Sequence, residues 1–468
     1  MKLVDMDVES LRELLASARM KLKAQSTMCD NVDSWTKPDL AAGFDVPRRA
    51  SAEHRALQRL SRTPWLGLVV TTAAQAMYVS GFTSEDSDAK RLNRLWADNG
   101  MEALQIANHR AMLGYGDSFG VVTPAELRGV DSARMRCLSP RRMWADWEDP
   151  ATDPHPLLAV ESLGIHGGVK RWRIYDTMSI VMMEGDAEKE VVTEIVDHNL
   201  GVTPVVRFPN QMDLEGASVG EVAPLIPSSA RINKTSYDRL LAQHFSSWSV
   251  KTISGIDLPE ETEDPEADAL AVEEQKLKLA QEDMLTSEDP DTKFGSLPAT
   301  PLDPFVNSWR SDIEALAAVS QTPTYALTGQ LVNLGTEALA SARAGLTQKI
   351  FERQTTSGVA YSRMQRLGAS LCGWDDLAAD PLVRATWRDM EIRSLSQAVD
   401  ALGKARQMLD VPARALWSMI PGVEAHQLAM WERMADEDAA ADPVASMLRR
   451  HSAPMDGEDV VPLPGSAA

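Results

Sequence analysis

Residues 228–248 read SSARINKTSYDRLLAQHFSSW, and residues 303–320 read DPFVNSWRSDIEALAAVS. Either serine at the start of the first segment can cap a helix, and Asp303 followed by Pro304 predicts a helix start in the second. Because an α-helix rises 1.5 Å per residue, the first segment predicts a rod of about 30 Å. Two rods joined by a compact insert are expected to pack as an antiparallel pair and to hold the insert at their far end.

The insert between the two rods is acidic. The segment from Leu258 to Asp291 holds 13 acidic residues against two basic ones, Lys276 and Lys278. Such a charge run is typical of a solvated surface loop. The alternative interpretation is a protruding module that is presented to a partner, and the sequence leaves both open.

A loop without charges follows the second rod and leads into a third helix. Residues 324–335 read TYALTGQLVNLG, and Thr336 can cap a helix that continues to Leu371. This helix would measure about 54 Å, and three glycines within it are places where it can bend. The rods lack enough neighbours in one chain to bury every apolar face, which predicts a subunit that lines a space in multiple copies.

The N-terminal part of the chain is predicted to be helical. Residues 1 to about 40 are interpreted as a peripheral arm that is helical up to Lys23 and irregular after it. Helical periodicity then marks residues 52–60, 64–80 and 87–113.

The middle of the chain reads as strands. Extended pieces are predicted at residues 118–123, 134–138, 143–147, 157–165, 169–176, 179–184 and 190–198. Regular strand spacing without intervening helices predicts an antiparallel meander. Further along, a short extended piece at 382–387 precedes several helices from 392 to 450, and the tail from Asp456 is predicted to be disordered.

Composition and charge narrow the class of protein. The chain has 468 residues, of which 44% are hydrophobic and 25% are charged, which is a globular composition with room for roughly two to four folding units. Its 68 Asp and Glu against 47 Lys and Arg give a formal net charge of −21. This balance argues against a protein that coats nucleic acid with a basic surface, but it allows one that lets nucleic acid slide past without sticking.

Cysteine spacing and hydropathy argue against disulfide-rich, zinc-binding, secreted and membrane-spanning proteins. The three cysteines lie far apart without a CxxC pair, which predicts neither a disulfide framework nor a zinc site. The N-terminus has no signal-peptide pattern, and the most apolar window, residues 65–82, is too polar for a membrane span. We therefore expect a soluble protein of a reducing compartment.

Two glycine-rich strings resemble enzyme motifs, but their contexts do not fit. Residues 216–220 match the GxSxG string of serine hydrolases, yet a polar loop precedes Ser218 where that motif needs a buried strand. Residues 114–116 (GYG) lie between a helix and a strand, the reverse of the order that phosphate binding requires. The sequence has neither a P-loop nor an HExxH pair. We expect no catalytic residue, no metal and no cofactor.

Five stretches, taken in their order and spacing, form a fairly specific pattern. They are NRLWADNGMEALQIANHRAMLGYGDSFGVV (93–122), HNLGVTPVVRFPN (198–210), GASVGEVAPLIPSSARINKT (216–235), GSLPATPLDPFVNSWRSDIEALAAVSQTPTYALTG (295–329) and NLGTEALASARAGL (333–346). On these stretches the chain resembles the portal proteins of tailed bacteriophages, in the branch typical of long-tailed phages of Gram-positive and actinobacterial hosts. The resemblance covers about residues 60 to 372. The family often has Ser where this chain has Thr336, and Thr caps a helix equally well.

The resemblance implies an α+β, mainly helical subunit of the portal type. Its implied parts are an N-terminal arm (1–40), a wing of helices and antiparallel strands (41–215, returning at 374–391), helical stem segments (216–249 and 300–322), a small α/β clip (250–299), a tunnel loop (323–335), a long kinked helix (336–373), a helical crown (392–455) and a disordered tail (456–468).

The resemblance also implies a function and a set of partners. Portal proteins form rings of twelve copies at one capsid vertex, which admit DNA pumped by terminase, retain it and release it into the tail. The implied partners are further copies of the chain, the terminase large subunit, head-completion or adaptor proteins, the major capsid and scaffold proteins, and double-stranded DNA that passes non-specifically. The implied location is the virion, after assembly in the host cytoplasm, with no membrane contact. The terminase ATPase would supply the energy, which agrees with a chain that is not an enzyme.

Three sets of residues follow as candidates. The residues expected to face DNA from the tunnel loop are Thr324, Thr328, Gln330 and Asn333. The clip residues expected to meet terminase or an adaptor are Glu260, Glu263, Asp264, Glu266, Glu273 and Glu274. Candidates for bonds between subunits, on one helical face, are Arg343, Lys349 and Arg353. The main alternative function is that of a head–tail adaptor or another ring-forming capsid component that does not line the DNA channel. The enzymatic alternative is a hydrolase that acts through Ser218.

Overall fold

The computed structural model describes residues 3–37, 51–84, 89–127, 129–186, 189–246, 251–254, 293–296, 300–330, 336–388, 395–417, 419–420, 423 and 425–441. Within these ranges, helices α1 to α13 run over Val8–Thr36, Ala52–Leu60, Trp65–Gln75, Lys90–Asp98, Met101–Tyr115, Ile226–Ser246, Asp303–Ser320, Thr324–Thr328, Thr336–Leu371, Asp375–Ala379, Leu395–Leu409, Ala413–Trp417 and Ala425–Ala441. Strands β1 to β14 run over Val79–Thr83, Asp117–Leu127, Val130–Leu138, Met143–Asp146, Leu158–His166, Val169–Tyr175, Ser179–Glu184, Val191–Asp197, Val205–Pro209, Gln211–Met212, Ser218–Val219, Lys251–Ser254, Lys293–Ser296 and Arg384–Trp387. The fold is α+β and mainly helical, as predicted.

Strands β4 to β8 form a five-stranded antiparallel sheet in sequence order. This arrangement confirms the predicted meander for five of the seven predicted strands, whereas the first two, β2 and β3, lie in a separate sheet. The turn between β5 and β6 uses Gly167 and Gly168 with φ of 59° and 83°, a backbone conformation that favours glycine. The buried Glu161 of β5 accepts hydrogen bonds from Arg136 of β3 at 2.7 and 3.0 Å and from the Tyr175 hydroxyl at 2.5 Å. These bonds hold the meander against the neighbouring sheet.

That neighbouring sheet has three strands in the order β3-β2-β9. Strand β2 pairs antiparallel with both partners. The sequence predicted β2 and β3 but no strand at β9. In β9 four of five residues are buried, so the alternation of polar and apolar residues that marks a half-exposed strand is absent.

Two helix predictions before β2 need correction. The helix expected over residues 64–80 ends at Gln75, and Val79–Thr83 instead forms β1, which pairs with β14. The side chain of Gln105 satisfies the backbone of Val79, accepting from its N–H at 2.7 Å and donating to its carbonyl at 3.1 Å. The helix expected over residues 87–113 is divided into α4 and α5 by Gly100, whose φ is 62°. The first difference arises because β1 pairs with a strand that is distant in sequence. The second arises because Gly100 is left-handed and interrupts the helix.

Helix α1 is longer and more deeply packed than the expected arm. It continues past Lys23 to Thr36, and the Asp7 side chain caps its start by accepting from Ser10 N–H at 3.0 Å. Its buried side chains pack on the meander, which contributes Val160, Trp172, Ile174, Val181 and Met183 to the shared cluster. The apolar side chains of α1 in this cluster recur every three or four residues: Leu11, Leu15, Ala18 and Leu22. The N-terminal segment therefore belongs to the hydrophobic core.

The long helix α9 crosses the centre of the main core. Tyr361 is fully buried there beside the rings of Trp96, Phe208 and Trp387. A Cβ added at Gly368 would lie 2.7 Å from the terminal methyl of Met135 and 2.8 Å from a methyl of Leu95, so the ends of these two side chains pack directly on the helix backbone. As predicted, α9 begins at Thr336 and ends at Leu371.

Helices α6 and α7 are the two predicted rods, and they pack together. Arg231 of α6 pairs with Asp312 of α7 at 2.7 Å, and Arg239 lies over the ring of Trp309 at 6.0 Å. The two helices are therefore antiparallel, as predicted. Strands β12, which follows α6 in the chain, and β13, which precedes α7, also pair antiparallel. The start of α6 differs from the prediction, because it lies at Ile226, before the proposed serine caps.

Candidate functional site

The candidate site lies where α7, the following loop and α9 meet. Helix α7 ends at Ser320. Gln321 caps it with a left-handed φ of 51°, and the N–H of Thr322 donates to Ala317 O at 3.0 Å. The expected loop is then partly helical, since Thr324–Thr328 forms the short helix α8 after Pro323. Leu327 is buried and anchors this turn in the main core.

The four predicted DNA-facing residues fall on and beyond this turn. Thr324 and Gln330 are exposed, and the Thr328 hydroxyl donates to Thr324 O at 3.0 Å. The Gln330 N–H in turn donates to the Thr328 hydroxyl at 3.3 Å. Asn333 lies outside the described residues. The described part of the loop thus presents uncharged polar groups on a turn that is fixed by its own hydrogen bonds.

Arg343 of α9 contacts this loop. Its Nε donates to the Tyr325 hydroxyl at 2.6 Å, and its guanidinium lies over the Tyr325 ring at 5.9 Å. The long helix is therefore tied directly to the short helix α8.

Lys349 and Arg353 of α9 form a buried ion cluster with Glu221. Lys349 Nζ lies 2.7 Å from one Glu221 oxygen, and Arg353 donates to the other at 3.1 and 3.3 Å. Lys349 also donates to Ser320 O at 3.0 Å, at the end of α7. Their side chains are 2% and 4% exposed. The structure does not support the predicted bonds between subunits for these two residues, because both already have a carboxylate partner within the chain.

The electrostatics of this cluster favour its charged state. Burial alone would raise the pKa of the Glu221 carboxyl, but Lys349 and Arg353 outweigh burial and hold that pKa below its usual range. Asn210 adds a hydrogen bond to the same carboxylate at 3.1 Å. Sequence reasoning missed Glu221. Its one sequence signal is its position directly after the glycine-rich string at 216–220.

The two glycine-rich strings contact each other. A Cβ added at Gly220 would lie 2.4 Å from Gly114 O, and one at Gly116 would lie 2.9 Å from Gly220 N, so the two backbones pack directly. The Ser218 hydroxyl donates to Asp117 at 2.5 Å and accepts from Arg207 at 3.1 Å. A serine held by a carboxylate and a guanidinium lacks the histidine base of a hydrolase triad. The strings are therefore a packing contact between distant segments.

The predicted partner-binding residues lie in a part of the chain for which no position is described. Glu260, Glu263, Asp264, Glu266, Glu273 and Glu274 all lie outside the described residues. Strands β12 and β13 bracket that segment and pair in register from Lys251 opposite Ser296 to Ser254 opposite Lys293.

In the part of the chain that the structure describes, no group of three His, Cys, Asp or Glu side chains could hold a metal ion. Of the described helices, none combines the length and the apolar character that crossing a membrane requires.

Comparison with known proteins gives the class. A family model described as "Phage portal protein, SPP1 Gp6-like" matches residues 31–444, which is most of the chain. The chain is a phage portal protein. More narrowly, it belongs to the SPP1 Gp6-like family of portal proteins.

Solved structures also show similarity at low identity. The neck of an empty GTA particle computed with C6 symmetry is 13% identical, with a TM-score of 0.41 over 81% of this chain and 96% of that chain. The virion of a native gene transfer agent (GTA) particle is 13% identical, with a TM-score of 0.43 over 80% and 97%. The neck of a native GTA particle computed with C12 symmetry is 13% identical, with a TM-score of 0.42 over 82% and 98%. No curated protein matches the sequence. The family assignment rests on the family model.

Proposed function

We propose that this portal protein forms a closed ring of about twelve copies at one vertex of a phage capsid. Double-stranded DNA would enter through the ring during packaging, be retained by it and leave through it into the tail. The observation that carries the proposal is the junction of α7, α8 and α9, where the buried ion cluster bonds the end of α7 and Arg343 bonds the uncharged helix α8. Such a rigidly supported loop suits a rim that moving DNA passes.

In this proposal the tunnel loop covers residues 323–335. Thr324, Thr328, Gln330 and Asn333 face the DNA and offer hydrogen-bonding groups without charge. The net charge of −21 supports passage without capture, because binding by counterion release requires clustered cations. The subunit therefore guides DNA and does not immobilise it.

The acidic insert is the proposed docking site for other proteins. Residues 250–299 would form the clip, which meets the terminase large subunit during packaging and a head-completion or adaptor protein afterwards. The acidic residues we assign to these contacts are Glu260, Glu263, Asp264, Glu266, Glu273 and Glu274. The pairing of β12 with β13 supports this assignment. It brings together the two ends of the 38-residue segment from 255 to 292, as expected for an insert that has a single attachment to the rest of the subunit.

The remaining parts follow the family's organisation. The wing would comprise residues 41–215 and 374–391, the stem 216–249 and 300–322, and the crown 392–455. Major capsid and scaffold proteins would contact the outside of the ring. We assign the protein to the virion, after assembly in the host cytoplasm, and its phage to the long-tailed branch of Gram-positive or actinobacterial hosts.

We further propose that the chain has no enzymatic activity of its own. The portal family is structural, and the terminase ATPase would supply the energy for packaging. The partners of Ser218, an aspartate and an arginine, support this proposal.

Native mass spectrometry with negative-stain class averages of the purified protein tests the proposal. We expect a ring of about twelve copies with a central hole wide enough for duplex DNA. A ring whose hole is too narrow for duplex DNA would favour a head–tail adaptor that does not line the channel. A monomer that persists in the presence of scaffold protein would contradict the proposal.

A further inference from the structure

The exposed face of α9 is nearly free of charge between residues 341 and 359. Ten residues between 341 and 359 are exposed, and of these only Glu352 is charged. On α1, by contrast, five of 13 exposed residues are charged. Depletion of charge on an otherwise solvent-facing surface is a mark of the core of a protein interface.

Two large apolar side chains lie on this face. Phe351 is 61% exposed and Val359 is 49% exposed. Helical steps of three or four residues continue the same face from Glu352 through Val359 to Arg363 and Arg366.

The C-terminal end of the face carries unpaired positive charge. Among the described residues, neither Arg363 nor Arg366 has a carboxylate partner, and Arg366 donates only to Ala378 O at 3.0 Å. Burial lowers the pKa of Arg363, and the neighbouring Arg366 lowers it further. Two half-buried guanidinium groups of like charge are costly unless an anionic group approaches them.

We propose that this face, from Ser341 through Phe351 and Val359 to Arg366, is a docking surface for a second copy of the chain. Charge complementarity favours that occupant, because a chain with a net charge of −21 offers carboxylates to the two arginines. Duplex DNA fits less well, since the large apolar side chains of Phe351 and Val359 offer its backbone neither a hydrogen bond nor a charge. The inference rests on the proposed ring and names one of the surfaces that close it.

A charge placed in the centre of this surface tests the inference. Phe351→Asp is expected to raise the protein concentration for half-maximal ring assembly at least about tenfold, as for the loss of a buried aromatic anchor. Met20→Asp is the matched control, because Met20 is 70% exposed on the helix α1 and lies outside the proposed surface. We expect that variant to assemble as the wild type does. Mass photometry across a concentration series measures assembly, and circular dichroism checks that both variants fold.

The arginine pair has a separate readout. Arg363→Gln combined with Arg366→Gln should weaken assembly and reduce its dependence on salt, because the charge attraction is removed. If both surface variants assemble as the wild type does, the inference is overturned and the ring itself stands. If the Phe351→Asp ring assembles normally and only packaging fails, the face meets DNA or another protein, and the inference is again overturned. If the wild-type chain forms no ring even with scaffold protein, both the ring and this surface are excluded.

Discussion

At the scale of single residues, the junction depends on a few buried polar contacts. Glu221 is held by two cations of α9, and one of them, Lys349, also bonds the end of α7. Because a buried charge without its partner is expensive, each member of the cluster depends on the others.

Lys349→Met should destabilise the protein strongly. The change leaves the Glu221 carboxylate buried with Arg353 as its remaining cation, and loss of one partner of a buried pair costs about 3–5 kcal/mol. Lys404→Met is the control, since Lys404 pairs with Asp400 on an exposed helix face and such pairs contribute little. Urea unfolding of both variants measures the difference in the free energy of unfolding. Equal stability of the two variants would contradict the assigned role of the cluster.

His109 gives the fold a predictable dependence on pH. Burial lowers the pKa of His109 to about 4, below its ordinary value near 6.5, and its ring bonds Met77 O at 3.2 Å and the Tyr361 hydroxyl at 3.0 Å. Between pH ~4 and pH ~6.5, the unfolded chain therefore binds one more proton at His109 than the folded chain does. The stability contributed by neutral His109 is complete above pH ~6.5 and falls as the pH drops towards 4.

Unfolding free energies measured from pH 7 to pH 4.5 test this expectation. The slope assigned to His109 approaches about 1.4 kcal/mol per pH unit in that window. His109→Gln should remove this part of the slope, while the half-buried His155 and the buried His198, whose pKa values burial also lowers, titrate as before in both proteins. An unchanged slope in the variant would show that His109 is not the titrating group.

At the scale of elements, α1 acts as part of the core and not as an arm. Leu15 is fully buried between α1 and the meander, and Arg12 and Arg19 of α1 bond Glu190 at the end of the loop before β8. The helix thus covers one face of the five-stranded sheet.

Leu15→Ala should therefore cost about 2–5 kcal/mol, as for other large-to-small changes in a core. Met20→Ala, on the exposed side of the same helix, should change the stability little. Thermal and urea unfolding of the two variants separate these outcomes. A peripheral arm would instead give two equally small effects.

The loop after α7 makes a second prediction at this scale. Replacing Gln330 and Asn333 together with Ala should slow DNA packaging or shorten the packaged length, because the loop loses its polar contacts with DNA. Gln211→Ala, an exposed change on β10, serves as the control. Packaging rate and genome length in proheads carrying each variant are the measurements. Wild-type rate and length in the double variant would show that the loop's role is misassigned.

The same elements show what the sequence could and could not predict. Strands β2 to β8 and the rods α6 and α7 follow from local signals, because turn residues and apolar spacing lie within each segment. Strand β1 could not be predicted, since its partner β14 lies far along the chain. Lys349 and Arg353 were assigned to the wrong environment because their partner Glu221 comes from another element, and a charge on a helix gives no sign of whether it is buried.

At the scale of the whole molecule, the acidic balance predicts a low affinity for DNA. A basic DNA-binding protein gains affinity by releasing counterions from phosphates, and a chain with 21 net negative charges has little to gain in this way. Several arginines of the described residues pair with carboxylates within the chain, as in the Arg207–Asp117 pair at 2.8 Å.

Purified protein should accordingly show no binding to linear duplex DNA at 150 mM salt up to about 100 µM, the weak end of ordinary non-specific binding. Gel mobility or fluorescence anisotropy measures this affinity, and a basic DNA-binding protein is the positive control. Binding at low micromolar concentration would contradict the idea of a surface that DNA slides past.

The pairing of β1 with β14 also has a consequence for the order in which the molecule is made. A nascent chain that has exposed Val79–Thr83 must wait for Arg384–Trp387 before that small sheet can close. At ordinary synthesis rates of about 5–20 residues per second, the wait is roughly 15–60 s. Helix α9 emerges near the end of this interval, so Gly120, which packs against its Met364, and Phe208, which packs against its Tyr361, remain uncovered by it until then. A ribosome product that ends before residue 336 would lack the central helix, and the core that this helix covers would stay open to proteases.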